Sequence, residues 1–476
     1  MLILTRNISC ENLWSKMASR AEQLHIFLFP LMAAGHIIPM VNLAKLFVER
    51  GIKVTLLTTP TSTALLRRSV DEACDSGHSI HLLVLRPPSS LPDGRENLTS
   101  PAMTADFFMA LDRLRQPFDQ VLREHLPSCV VSDMFLPWTA EIAERHGVPR
   151  LVFHSMGFFP LCVIDSLDRH GPSASFSTGD KGTVLIPGLP RRIEMKRSQL
   201  HNYVEKQTDF EEFMERIKQS ELKSYGAVVN SFYEMEPDFA DHYRNALQRK
   251  AWHVGPLCLC NRLSSVKLHE KLQSWLDSKP CHSVVYVCFG SLSHQTVAQL
   301  HEISSGLEES NHYFIWVMSK CVEGYEEGIK EQGKGVITVG WAPQMEILNH
   351  PAVGGFVTHC GMNSVLESVS AGVPMITWPL FAEQFYNEKL VVDLLGVGVK
   401  VGVEVWGMRE EDKEVVRGEE IRSAVCRLMD EGVETDGIRK RADEMKEKAR
   451  RAAEVGGSSH ADVSRLIDAL IAYKLM

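Results

Sequence analysis

The sequence has no surplus of positive charge, no paired-cysteine motif, no long apolar run and no internal repeat. Each absence removes a class of function. Its 51 lysines and arginines stand against 60 acids, a formal net charge of −9. Nucleic acid and anionic membranes both reward a positive surface, so neither is expected as the main partner. The 11 cysteines are scattered, with only Cys258 and Cys260 close together and no CxxC. Reduced thiols in a cytoplasmic protein are therefore expected. Sequons at Asn7 and Asn97 follow no secretory signal. No stretch approaches the roughly 18 apolar residues of a membrane span, so no stable membrane insertion is expected. A GxSxG elbow, a GxxxxGK[ST] loop and the second histidine of HExxH (after His301) are all missing. The glycines of 396–402 lack GxGxxG spacing and open no helix, which argues against nicotinamide binding.

What is present is ordinary globular composition over 476 residues, 44% hydrophobic and 23% charged. Apolar runs at 24–29, 54–58, 129–133, 149–154 and 226–232 read as strands, and a helical pattern over 38–50 separates the first two. A second series runs through 283–291, 314–318, 335–340, 354–359 and 373–378, with a helix near 296–309. Strand–helix alternation in both halves predicts two doubly wound α/β domains. The predicted division is 1–256, 257–457 and a closing helix at 458–476 that returns to the first domain. Residues 1–20 read as an extension, with Met17 available as an internal start, and His170–Gly182 as a surface loop.

Two constellations carry chemistry. In the first, the strand GGFVTH meets the small-residue turn CGMNS, and a helix opens from Asn363 toward Ala371. Free amides and the helix dipole make such a point an anion site. His359 at the strand end adds a donor, Glu367 lies one turn into the helix, and Trp341 offers a flat face for a base. Taken alone, such a turn often does no more than cap its helix. In the second, His36 follows the first strand and Asp133 ends the strand CVVSD. Both stand where open α/β sheets gather ligands. A neutral histidine oriented by a carboxylate is suited to taking a hydroxyl proton. A loop histidine capping its helix is the plainer alternative. MFLPW (134–138) and GFFP (157–160) read either as the lining of an apolar pocket or as core.

The segment Trp341–Gln384 closely resembles the signature box of the plant family 1 UDP-glycosyltransferases. The elements FPLMAAGHIIPM, SDMF, VVYVCFGSL and PGLPRRIEM extend that resemblance along almost the whole chain. It implies a GT-B fold, with two Rossmann-like domains facing a cleft. It also implies inverting transfer of a sugar, most of all glucose, from a UDP-sugar co-substrate. The acceptor would be a small lipophilic flavonoid, triterpenoid, steroid or phenolic, handled by a monomer. No DxD occurs, so the metal-chelating signature of the other large glycosyltransferase fold is missing; no metal or redox cofactor is expected.

Carried over by position, the resemblance gives Trp341, with the backbone of Ala342, to the uracil and Gln344 and Glu367 to the ribose. His359, Asn363, Ser364 and Ser291 fall to the diphosphate, and Glu383 and Gln384 to the sugar hydroxyls, the final Gln leaning toward glucose. Gly35, Gly361 and Ala382 belong to the same donor set. His36 becomes the general base and Asp133 its support. One position departs: the family's HCGWNS reads HCGMNS here, and Met362 has no indole donor, so only a backbone contact of that tryptophan would survive. Two further readings are a nucleotide-sugar binder without transfer and an acceptor-independent isomerase or hydrolase.

Overall fold

The computed structural model describes residues 24–75, 77, 79–86, 105–170, 182–200, 208–261, 268–293, 295–318, 328–332, 334–407 and 414–475. The extension over 1–20 and the interior of the 170–182 loop lie outside them.

In chain order the first half carries β1 (His25–Phe29), β2 (Lys53–Thr58), β3 (Ile80–Val84), β4 (Cys129–Asp133) and β5 (Arg150–His154). The hairpin strands β6 (Thr183–Ile186) and β7 (Ile193–Lys196) follow, then β8 (Gly226–Val229) and β9 (Ala251–His253). Apart from the hairpin these form one parallel sheet in the order β3-β2-β1-β4-β5-β8-β9. Every residue of β4 and β5 is buried, as expected for central strands covered by helices on both faces.

The second half carries β10 (Val284–Cys288), β11 (Tyr313–Met318), β12 (Gly328–Gln332), β13 (Gly335–Val339), β14 (Val353–Thr358), β15 (Met375–Thr377) and β16 (Gly398–Lys400). Their order is β12-β13-β11-β10-β14-β15-β16, parallel throughout except for β12, an antiparallel edge strand. This is the GT-B arrangement of two Rossmann-like sheets. Strand order reverses between β1 and β4 in the first sheet and between β10 and β14 in the second. These two switch points are where such sheets leave a crevice beyond their carboxyl ends.

After the helix Val433–Ala453 the chain enters the helix Ser458–Lys474, which packs against β9. Its Val463, Leu466, Ile467 and Leu470 recur at helical spacing and join the core around Ile26, Val54 and Trp252. Each such fully buried side chain contributes about 2 kcal/mol. Asp462 fixes the register: its Oδ2 accepts from the His253 backbone N–H at 3.0 Å and from Arg244 at 2.7 Å, and lies 2.9 Å from the His253 ring. No helix among the described residues is long and apolar enough to cross a membrane.

Candidate active site

His36 stands in the first turn of the helix Ala34–Val48, directly after β1. Its Nδ1 lies 2.7 Å from Oδ2 of Asp133, the last residue of the neighbouring strand β4. Asp133 is buried and its carboxylate is held in place, because Oδ1 accepts the Phe135 N–H at 3.1 Å. Beneath it, the buried Arg150 guanidinium donates to the Asp133 carbonyl at 3.2 Å and to Ser132 Oγ at 2.8 Å. With Nδ1–H committed to the carboxylate, Nε2 is left as the basic nitrogen. Burial disfavours the imidazolium, but Asp133 and, from the loop after β15 in the other half, Glu383 more than offset this and raise the His36 pKa above its ordinary 6.5.

Across the crevice, β10 and β14 end side by side. Gly290 follows β10 with φ +77°, and a Cβ there would lie 2.7 Å from the His359 ring. Gly361, the N-cap of the helix Met362–Ala371, would meet the same ring at 2.5 Å. Glycine at both positions lets the imidazole approach two backbones closely. Burial lowers the His359 pKa to about 4, so the ring is neutral near pH 7, and its Nδ1 is buried without a hydrogen-bond partner. Ser291 is exposed in the turn beside it.

One turn further along, Gln344 Nε2 donates to Ser364 Oγ at 3.1 Å and to Glu367 Oε2 at 2.5 Å. The buried Tyr286 hydroxyl donates to Gln344 Oε1 at 3.1 Å and so fixes which way that amide points. Burial pushes the Glu367 carboxyl up to about 7. Trp341 is 64% exposed at the rim, a large flat surface open to a ligand, with Ala342 half-buried behind it.

The loop 380–384 closes the crevice. Ala382 adopts φ +53°, a left-handed conformation uncommon outside glycine. Gln384 is turned so that Oε1 accepts the Leu380 and Phe381 N–H groups at 2.8 and 3.0 Å, which leaves its Nε2 as donor. The Glu383 carboxyl is raised by burial and opposed by His36, by Asn387 and by the backbone N–H of Met362. The Met362 side chain is buried, so at this position the chain offers the crevice its main chain rather than its side chain.

Asn363 spans the two halves: its Nδ2 donates to the Gly35 carbonyl at 2.6 Å, and its Oδ1 accepts from Asn230 at 3.4 Å. The sixteen residues singled out in the sequence thus lie along two facing crevices. Their supports Tyr286, Arg150 and Asn230 were not singled out. Asn230 alone had a visible signal, since it follows β8 at a carboxyl end. Of the candidate pocket residues, Phe135 stands edge-on to His36 at 5.8 Å and stacks on Phe213 at 6.4 Å. Trp138, Phe158 and Phe159 are buried core instead.

A family model described as UDP-glucoronosyl and UDP-glucosyl transferase matches residues 202–429. The chain is 44% identical to anthocyanin 3'-O-beta-glucosyltransferase of Gentiana triflora, over 95% of this chain and 99% of that protein. It is 43% identical to scopoletin glucosyltransferase of Nicotiana tabacum, over 95% and 98% of the two chains. Among solved structures, Glycyrrhiza uralensis UGT73P12 complexed with glycyrrhetinic acid 3-O-monoglucuronide superimposes with a TM-score of 0.86 at 38% identity, covering 95% of this chain and 96% of that one.

Proposed function

The chain belongs to the plant family 1 UDP-glycosyltransferases, and from that premise we propose that His36 and Asp133 form the base pair of an inverting glucosyl transfer from UDP-glucose. The protein is a glycosyltransferase acting on small lipophilic plant metabolites. The observation that carries the mechanistic reading is the 2.7 Å bond from His36 to a buried carboxylate, with Glu383, in the loop that follows β15, near enough to raise the His36 pKa. Base and sugar-facing carboxylate therefore meet across one cleft.

In this reading the acceptor hydroxyl lies against His36 Nε2. As its oxygen bonds to the anomeric carbon, the bond from that carbon to the UDP oxygen breaks on the opposite face and the proton passes to Nε2. Asp133 holds the tautomer and stabilises the imidazolium. Trp341 and Ala342 receive the uracil, Gln344 and Glu367 the ribose. Asn363, Ser364, Ser291 and His359 receive the diphosphate, whose growing charge the N-terminal end of the helix Met362–Ala371 favours. Glu383 as acceptor and Gln384 Nε2 as donor bind the sugar, beside Ala382. Phe135 gives the acceptor an apolar wall. Residues up to 256 hold the acceptor, 257–457 hold the donor, and 458–476 strap the second part to the first.

The test is mass spectrometry of products from UDP-glucose with flavonoid, triterpenoid, steroid and phenolic acceptors, with proton NMR of the anomeric centre. A β-glucoside is expected, lost in His36→Ala while UDP still binds. An α-linked product, or wild-type turnover in that variant, would overturn the reading.

A further inference from the structure

The loop that carries Glu383 and Gln384 is clamped from beneath by a segment to which the signature box gives no role. Trp406 is buried to 1% exposure, and its indole Nε1–H donates to the carbonyl of Ala382 at 3.1 Å. The next residue repeats the clamp, with the Gly407 N–H donating to the Leu380 carbonyl at 3.0 Å. These bonds hold both sides of the one residue in the loop with a left-handed, non-glycine backbone. Such a conformation costs on the order of 1 kcal/mol or more and persists only where surrounding bonds impose it. Relaxation of Ala382 would rotate the following peptide and swing Glu383 and Gln384 away from their directions in the cleft.

The clamp is also anchored on the other half of the molecule. The Trp406 backbone N–H donates to the Ser198 carbonyl at 2.8 Å, and Ser198 Oγ donates to the Glu404 carbonyl at 2.7 Å. Lys196, the last residue of β7, pairs with the Glu404 carboxylate. The hairpin thus reaches from the first sheet's side to the base of the sugar-facing loop.

We propose that Trp406 is a positioning residue for donor-sugar recognition, holding the Ala382 turn so that Glu383 and Gln384 face the sugar. The inference rests on the reading of Glu383 and Gln384 as the sugar-binding pair. It makes a selective statement: the sugar depends on Trp406, whereas the nucleotide, held by Trp341, Gln344 and Glu367 on other elements, does not.

The experiment compares Trp406→Phe, which keeps an aromatic ring and deletes the N–H, with Glu383→Ala and the wild-type enzyme. Three quantities are measured: KM for UDP-glucose, the inhibition constant of UDP, and turnover with UDP-galactose relative to UDP-glucose. Trp406→Phe is expected to raise KM for UDP-glucose by about fivefold to tenfold, the factor matching one lost buried hydrogen bond. Discrimination between the two sugars should fall, with the UDP inhibition constant unchanged. If UDP binding weakens in parallel, Trp406 has only a general structural role and the proposal is overturned. It is overturned by itself if Glu383→Ala raises KM and Trp406→Phe does not. If neither variant changes a sugar-dependent quantity, the reading of the sugar pair has failed and the inference falls with it.

Discussion

Asn363 donates its side-chain amide to the main-chain carbonyl of Gly35, 2.6 Å away across the cleft. That carbonyl is open to a partner from the other half because residue 39 is proline. In an α-helix Gly35 would accept the N–H of the residue four positions on, and Pro39 has none. The Asn363 oxygen meets Asn230, whose own oxygen accepts the Leu257 N–H at 3.1 Å in the segment between the two sheets. The first turn of the base-bearing helix, the donor helix and the joint therefore share one line of hydrogen bonds.

Asn363→Leu breaks that line at its centre. A stability loss of about 1–2 kcal/mol is expected from its two lost bonds, with a larger radius of gyration in small-angle scattering. Pro39→Ala should open the molecule in the same way without loosening the helix, since the restored N–H draws the Gly35 carbonyl back into it. An unchanged scattering profile in both variants would count against the link.

The acid limb of the pH–rate profile should report His36. Only the neutral imidazole accepts a proton, so kcat/KM rises with pH through a pKa above 6.5. Asp133→Asn removes the main influence that raises this value. The limb is then expected at lower pH, with kcat reduced about 10²–10⁴-fold because the tautomer and the imidazolium lose their support. A limb that stays in place would assign the titration to another group.

Glu367, with a pKa near 7, is partly protonated in the free protein at neutral pH. Ribose hydroxyls donate to a carboxylate and favour its charged form, so UDP binding near pH 7 should release a fraction of a proton and tighten as pH rises. Calorimetry in buffers of different ionisation enthalpy measures this release directly. Glu367→Gln should abolish it.

The terminal strap has its own acid–base signature. His253 and Arg244 hold the Asp462 carboxyl well below its ordinary range, although burial works the other way. Its stabilisation is therefore complete above the unfolded pKa of about 3.9 and is lost progressively as pH falls from there toward the depressed folded value. Asp462→Asn leaves the part-buried Arg244 guanidinium without its carboxylate and should cost about 1–3 kcal/mol at neutral pH. Denaturant titrations of both forms, repeated down to pH 3, should show the difference shrinking only at the acid end.

Much of this was legible in the amino-acid order. The runs HIFLF, CVVSD and VVYVC are apolar because a central parallel strand is covered on both faces, so composition and length alone reveal them. The donor site was legible for a related reason: a strand, a small-residue turn and a helix in one continuous stretch, Trp341–Gln384, build most of it. The three-residue strand β9, the antiparallel edge β12 and the hairpin β6–β7 escaped, being too short or too mixed to carry a period.

What only the tertiary structure decided is which distant residues touch. His36 and Asp133 are 97 positions apart, Gln344 and Tyr286 are 58, and Asn363 and Gly35 are 328. Sequence determines that each of them except Tyr286, which lies mid-strand in β10, stands at the carboxyl end of a strand or in the first turn of a helix, since local backbone preferences and burial act over a few residues. Whether they meet depends on strand order and on how the two sheets dock. Those follow from the packing of the whole core, and a local pattern of residues holds no record of them.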